Sequence, residues 1–154
     1  MCKVHDLHFL ASKANLNPTN ITGWNYFTYA FRRTAKFLER SYMLVNFKST
    51  WTKAKEYCLA MAYHLLEIAS VEENTFIDGL AQNNQVWIGL YGETMSPDAY
   101  VWNFSMRRPQ DYNYMNWANS EPSTFSNENC VVFEFDGSWN NINCKFEKAF
   151  VCEK

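Results

Sequence analysis

Charged residues are scarce in this chain of 154 residues, and their signs nearly cancel. Lysine and arginine contribute 14 positive charges and aspartate and glutamate 16 negative ones, so the net charge is only −2. Binding to a nucleic-acid backbone requires a basic face. Arg32 and Arg33 with Lys36, and Arg107 with Arg108, are too short to form one. We therefore expect no nucleic-acid partner.

Long apolar runs are also missing. No segment approaches the roughly 18 to 20 consecutive apolar residues of a membrane helix, so we expect no membrane span. The apolar run at residues 8–11 is far too short for the core of a signal peptide. Two interpretations follow: a secreted protein whose signal peptide is not present in this chain, or a cytosolic protein.

The cysteines favour the first interpretation. None of them forms a Cys-x-x-Cys pair, so zinc-ribbon and thioredoxin-like folds lose their main support. Two disulfides with one odd thiol fit an extracellular protein. N-glycosylation sequons at Asn20 and Asn103 agree weakly with a secreted glycoprotein. The five cysteines are Cys2, Cys58, Cys130, Cys144 and Cys152.

Signals of catalysis are absent as well. The sequence has no glycine-rich phosphate loop and no zinc-ligand spacing. His64 lacks an obvious cysteine or serine partner, and a helix cap accounts for Glu72 and Glu73. We therefore expect a binding protein rather than an enzyme.

The pattern of apolar residues predicts one α+β domain over residues 25–154, preceded by an arm at residues 1–24. Ser70 and Glu73 have the spacing of a capping box and predict the start of a second helix. Asp136 and Gly137 predict a hairpin turn. The predicted elements are strands within 26–47, helices at 51–62 and 71–82, and strands at 86–90, 131–135, 138–142 and 148–152.

Residues 91–129 form a long stretch without predicted secondary structure, and loops of this length in a compact domain are usually functional or disordered. Four aromatic residues in it, Tyr100, Trp102, Tyr114 and Trp117, indicate that it packs against the domain.

The last part of this stretch and the residues just after it carry the chemistry. Within about two dozen positions it holds Glu121-Pro122-Ser123, Glu128 and Asn140-Asn141. Hard cations prefer clustered oxygen ligands of this kind, and a sugar diol suits side chains that both accept and donate hydrogen bonds. The stretch therefore suggests a calcium-assisted sugar site.

In this order and approximate spacing, the residues resemble the C-type lectin domain over roughly positions 36–153. The resemblance implies the fold of that family: two helices, small antiparallel sheets, a long structured loop and two disulfides. The matching residues are Trp51, Ala54, Tyr57-Cys58, Glu73, Phe76, Trp87-Ile88-Gly89-Leu90, Trp102, Trp117, Glu121-Pro122-Ser123, Cys130, Trp139-Asn140-Asn141, Cys144 and Phe150-Val151-Cys152-Glu153.

The resemblance implies the disulfides Cys58–Cys152 and Cys130–Cys144. Cys2 is then left over. A mobile free thiol and an interchain bridge, which would make a disulfide-linked dimer, are both consistent with the sequence.

The resemblance also implies a site for Ca²⁺ and sugar made by Glu121, Ser123, Glu128, Asn140 and Asn141. Two of these positions depart from the family's pattern. Ser123 stands where an amide is usual, and Asn141 stands where aspartate is usual. Calcium affinity follows the number of charged ligands, so we expect weak calcium binding.

The function implied is binding of a terminal hexose, of galactose or mannose type, on glycans or glycoproteins. Pro122 is typically preceded by a cis bond in the family, and Phe125 could stack on the apolar face of a sugar. The alternative is a calcium-independent protein-binding module on the same scaffold, which an interchain bridge would make a disulfide-linked dimer.

Overall fold

The computed structural model describes residues 32–92 and 96–154. Within them, residues 33–154 form one compact unit. The expected arm at residues 1–24, Cys2 and the sequon at Asn20 lie outside the described residues, as does the expected domain boundary at residue 25. No helix of the described part is both long and apolar enough to cross a membrane.

The order of elements is that of the predicted α+β domain. Two short 3₁₀ turns, Pro97–Ala99 and Pro109–Tyr112, lie in the long loop. The strands and helices are β1 (Arg32–Phe37), β2 (Arg40–Ser49), α1 (Trp51–Ala60), β3 (His64–Leu65), α2 (Val71–Ala81), β4 (Val86–Gly92), β5 (Tyr100–Trp102), β6 (Cys130–Phe133), β7 (Trp139–Ile142) and β8 (Lys148–Glu153).

Both helices begin where the sequence predicts. Helix α1 buries Trp51, Ala54 and Cys58, which recur at helical spacing. At the start of α2, the Ser70 hydroxyl accepts a hydrogen bond from the Glu73 backbone N–H at 3.2 Å. The returning bond of the predicted capping box is shifted by one residue, because the Glu73 carboxylate accepts from the N–H of Ala69 at 2.8 Å.

The described strands join in a single sheet in the order β1-β2-β8-β4-β6-β7, with β3 paired to β8 and β5 to β4. The β4–β8 pair is parallel, so the sheet is mixed rather than a set of separate antiparallel sheets. Strand β4 lies at its centre and is almost wholly buried. A side chain at Gly89 would come within 2.8 Å of the Leu65 carbonyl oxygen, so this close approach requires glycine.

The two faces of the sheet carry two apolar cores, because neighbouring residues of a strand point to opposite faces. One core contains Ile77 and Leu80 of α2, together with Ile88 of β4. The other contains Trp51 of α1 and Trp87 of β4. Each helix therefore covers a different core.

Both predicted disulfides are confirmed. Cys58 of α1 is bonded to Cys152 of β8, with a Cα–Cα distance of 5.5 Å. Cys130 of β6 is bonded to Cys144 just after β7, at 5.0 Å. The paired cysteines are 94 and 14 positions apart in the sequence. In the chain-entropy treatment loops closed over such separations stabilise the fold by about 4.7 and about 3 kcal/mol, before any strain.

A cluster of charged side chains fastens β2 to α2 and β8. The Arg40 guanidinium contacts the buried carboxylates of Glu153 at 2.7 Å and Glu73 at 3.2 Å. The Tyr42 hydroxyl donates to Glu73 at 2.6 Å, and the Glu67 N–H donates to Glu153 at 2.9 Å. Burial raises the pKa of Glu153 to about 7, against the opposing effects of the Glu67 N–H and Arg40.

This pKa predicts a pH-dependent stability. Between about pH 4.5 and about pH 7, the folded state holds a proton on Glu153 that the unfolded state has released. The free energy of unfolding therefore falls as the pH rises through this window. We expect Glu153→Gln, which cannot ionise, to flatten that fall by on the order of 3 kcal/mol. Urea unfolding of both proteins across the window measures the difference, and parallel profiles would contradict it.

Candidate functional site

The long loop is anchored by one buried tryptophan, Trp139 of β7. Three rings of the loop meet its indole nearly edge-on, with centroids at 5.6 Å for Trp102, 5.7 Å for Tyr114 and 6.0 Å for Trp117. On its other side, the indole N–H donates to the side-chain oxygen of Asn74 in α2 at 2.9 Å. The prediction that the loop packs against the domain is confirmed.

Backbone hydrogen bonds fix the same loop beside β7. The Ala118 N–H donates to the Trp139 carbonyl at 2.8 Å, and the Trp139 N–H donates to the Asn116 carbonyl at 2.7 Å. The segment thus forms a short parallel bridge to the strand. Residues 121–128 are consequently placed beside the residues that follow Trp139.

Ser123 is the centre of the cluster that results. Its backbone N–H donates to the Glu121 carboxylate at 2.6 Å and to the side-chain oxygen of Asn141 at 2.7 Å. Its hydroxyl donates to the Glu128 carboxylate in a short hydrogen bond. The peptide bond between Glu121 and Pro122 is cis. The structure therefore brings four of the predicted site residues together: Glu121, Ser123, Glu128 and Asn141.

Asn141 closes the cluster from the sheet. Its side-chain N–H groups face the Ser123 carbonyl at 3.0 Å, the Ser123 hydroxyl at 3.2 Å and the Glu128 carbonyl at 2.8 Å. The residue is 1% exposed. Its amide is thus fully engaged within the protein.

Asn140 lies on the opposite face of β7 and does not join the cluster. Its side-chain N–H donates to the Glu134 carboxylate at 3.1 Å, and the same carboxylate accepts from Gln85 at 2.6 Å. Alternation along a strand explains this, because consecutive side chains point to opposite faces. The metal-binding and sugar-binding roles predicted for Asn140 stay predictions, and the contacts observed place its side chain elsewhere.

Two aromatic residues border the cluster. The Phe125 ring is 69% exposed, and its carbonyl accepts from the Glu128 N–H at 3.2 Å. The Tyr100 hydroxyl donates to the Glu128 carbonyl at 3.0 Å. Burial raises the pKa of Tyr100, the nearby carboxylates of Glu121 and Glu128 add to this, and a hydrogen bond with Asn141 opposes it. The sequence marked Tyr100 as an anchor of the loop but gave no sign of this contact.

The donor set does not fit a calcium ion as it is arranged. Calcium takes about six to eight oxygen ligands. Two of the oxygens gathered here, the carbonyls of Ser123 and Glu128, already accept N–H groups, which leaves the oxygens of two carboxylates and one hydroxyl. Asn141 directs N–H groups, not an oxygen, at the carbonyls of Ser123 and Glu128. Among residues 32–92 and 96–154, no three histidine, cysteine or acidic side chains are grouped to hold a metal.

Comparison with known proteins gives consistent matches. The profile described as Lectin C-type domain matches residues 47–154. Human C-type mannose receptor 2 is 35% identical over 115 residues, which cover 71% of this chain and 7% of the receptor. Chicken hepatic lectin is 30% identical over 124 residues, which cover 80% of this chain and 58% of that protein. The chain thus spans less than two thirds of either relative.

Among solved structures, the C-type carbohydrate-recognition domain of cow CD23 superposes with a TM-score of 0.70 at 27% identity. The match covers 79% of this chain and 92% of that domain, whose crystal structure was determined in the presence of a GlcNAc2Man3 oligosaccharide.

The anchoring role of Trp139 predicts an unequal cost for two similar substitutions. Trp139 and Trp102 are both fully buried, but within the described chain the Trp102 indole N–H has no hydrogen-bond partner. Trp139→Phe leaves the Asn74 oxygen without its donor, whereas Trp102→Phe breaks no such bond. We expect Trp139→Phe to lower the free energy of unfolding by about 1–3 kcal/mol more than Trp102→Phe does. Equal losses in urea unfolding would show that the bond to Asn74 contributes nothing.

Proposed function

Because the chain belongs to the C-type lectin domain family, whose members are in general binding modules rather than enzymes, we propose that it is a glycan-binding module that recognises a terminal hexose. The proposed binding surface is the cluster of Glu121, Ser123 and Glu128 with the neighbouring ring of Phe125. The printed names of its relatives support a saccharide ligand, since they include a mannose receptor and a hepatic lectin.

The convergence of two carboxylates on Ser123 is the observation that carries this proposal. In the described chain, one oxygen of Glu121 and one of Glu128 are engaged with Ser123, and no hydrogen bond is made by the other oxygen of either group. Both residues are half-buried. Each free oxygen can accept a hydrogen bond from a sugar hydroxyl, and a carboxylate acceptor makes such a bond stronger than a neutral one would.

Phe125 supplies an apolar surface beside these acceptors. Its ring is among the most exposed of the large apolar side chains. A pyranose presents C–H groups on one face and hydroxyls at its rim, so it can contact the ring and the carboxylates together. A hexose of galactose type suits stacking on such a ring. Residues 121–123 do not decide between galactose and mannose type, because Ser123 departs from the family's pattern there.

Calcium assistance is the part of the predicted mechanism that the geometry supports least. The Asn141 N–H groups engage the carbonyls of Ser123 and Glu128, and the Asn140 side chain contacts Glu134 on the other face of β7. The oxygens left for a metal are therefore the carboxylates of Glu121 and Glu128 and the hydroxyl of Ser123. We therefore propose that direct hydrogen bonds to the sugar carry most of the affinity. A metal would contribute weakly.

A calcium-independent protein-binding module is the second candidate, and the closed hydrogen-bond network around Asn141 favours it. The two disulfides fit an extracellular location for either function. Pairing of Cys2 between chains also belongs to the proposal. Non-reducing electrophoresis tests it, since a monomer under mild oxidation would exclude the bridge.

Glycan binding is tested with an array of terminal hexoses, read in calcium and again in chelator. We expect galactose- or mannose-type ligands to bind in both conditions. Loss of the charged acceptor in Glu128→Gln should weaken binding about 10- to 100-fold. Glu56→Gln, at an exposed carboxylate of α1, is the matched control and should bind normally. An array without any saccharide signal, combined with capture of a defined protein ligand, would favour the second candidate.

The stacking role of Phe125 gives a separate prediction. Phe125→Ala should weaken saccharide binding about 3- to 10-fold, since an aromatic contact contributes about 0.5–1.5 kcal/mol. Phe135 is 58% exposed in the turn between β6 and β7, so Phe135→Ala removes a comparable ring away from the cluster. Titration calorimetry with the best array ligand compares the two. If both variants bind like the unmodified protein, Phe125 has no part in recognition.

A further inference from the structure

Asn141 occupies an unusual position for a polar side chain. It is almost completely buried, and its amide meets one donor and three acceptors of residues 121–128. The donor is the N–H of Ser123. The acceptors are the carbonyl and hydroxyl oxygens of Ser123 and the carbonyl oxygen of Glu128. A single side chain thus connects both ends of the segment to β7.

The orientation of this amide is fixed by its neighbours. Its oxygen accepts from the Ser123 N–H at 2.7 Å, which no N–H group could do. If the amide oxygen and nitrogen were exchanged, the oxygen would lie 3.0 Å from the Ser123 carbonyl oxygen and 2.8 Å from that of Glu128. It would then repel both. The amide protons therefore point at the gathered oxygens.

Those oxygens need a positive partner. Two backbone carbonyls, a hydroxyl and the carboxylate of Glu128 lie together at half-buried residues, and acceptors shielded from water are costly when nothing donates to them. Within the described residues, no lysine or arginine forms an ion pair with Glu121 or Glu128. The two N–H groups of Asn141 supply the positive charge density instead, without bringing a net charge.

We propose that the Asn141 amide takes the structural place of a cation, so that the segment 121–128 is held in its binding conformation in the metal-free protein. An aspartate at this position would turn carboxylate oxygens toward the carbonyls of Ser123 and Glu128. A cation between them would relieve this repulsion. The identity of residue 141 thus decides whether this chain needs calcium to order the loop.

The test compares the unmodified protein with N141D in two measurements. Thermal unfolding is followed in calcium and in chelator, and calcium affinity is measured by titration calorimetry. The unmodified protein should melt at the same temperature in both conditions. N141D should melt lower in chelator and recover on adding calcium, with a calcium affinity at least about tenfold higher than that of the unmodified protein. N143D adds the same charge two residues away, where the side-chain oxygen accepts from the Lys145 N–H, and should respond like the unmodified protein.

Two results would overturn the proposal. One is a calcium-dependent rise in the melting temperature of the unmodified protein. The other is an N141D variant that is neither weakened in chelator nor able to bind calcium more tightly. Because these measurements use no sugar, they are independent of whether the protein binds glycans.

Amide hydrogen exchange at Ser123 provides a second measurement in case N141D does not fold. The N–H of Ser123 bonds to Glu121 and Asn141 within the protein. Its exchange in the unmodified protein should be equally slow with calcium and with chelator. Slowing by about tenfold or more on adding calcium would show that the metal, not Asn141, orders the segment.

Discussion

The burial of the Trp139 indole is the interaction on which the rest of this structure depends. It receives the edges of three aromatic rings from the long loop and donates its only hydrogen bond to Asn74 of helix α2. Its backbone N–H and its carbonyl both form hydrogen bonds with the loop. A long loop loses much conformational entropy when it is ordered, and the apolar area of these rings offsets that loss. Only after the loop is fixed can residues 121–128 meet β7.

The direction of strand β7 then divides the two asparagines that follow Trp139. Asn141 points to the same face as Trp139 and reaches Ser123, whereas Asn140 points to the other face and reaches Glu134. Each amide is satisfied where it lies. Of the two amides, only that of Asn141 therefore contacts the candidate site. The carboxylates of Glu121 and Glu128 are arranged around Ser123 rather than around the pair of asparagines.

The molecule satisfies its buried oxygen atoms in two different ways. Near β2, the carboxyl groups of Glu73 and Glu153 are held by the charged guanidinium of Arg40. In the loop, the carbonyls of Ser123 and Glu128 are met by the neutral amide of Asn141. The free-energy cost of desolvation is large for an ion and smaller for an amide. We expect the first arrangement to make stability sensitive to pH, and the second to hold the loop without an added cation.

Local pattern in the sequence determined much of the fold. Helical spacing of Trp51, Ala54 and Cys58 and the cap at Ser70 predicted the helices, because these signals act within a few residues. The resemblance to a known family predicted both disulfides, and the aromatic residues of the loop predicted its packing. Only the tertiary structure decided that Arg40 bridges partners 33 and 113 positions away, that β4 and β8 run parallel, and that Asn140 and Asn141 contact different partners on opposite faces of β7. The physical reason is that a side chain's partners depend on strand register and on which segments meet, and neither is encoded in the residues next to it.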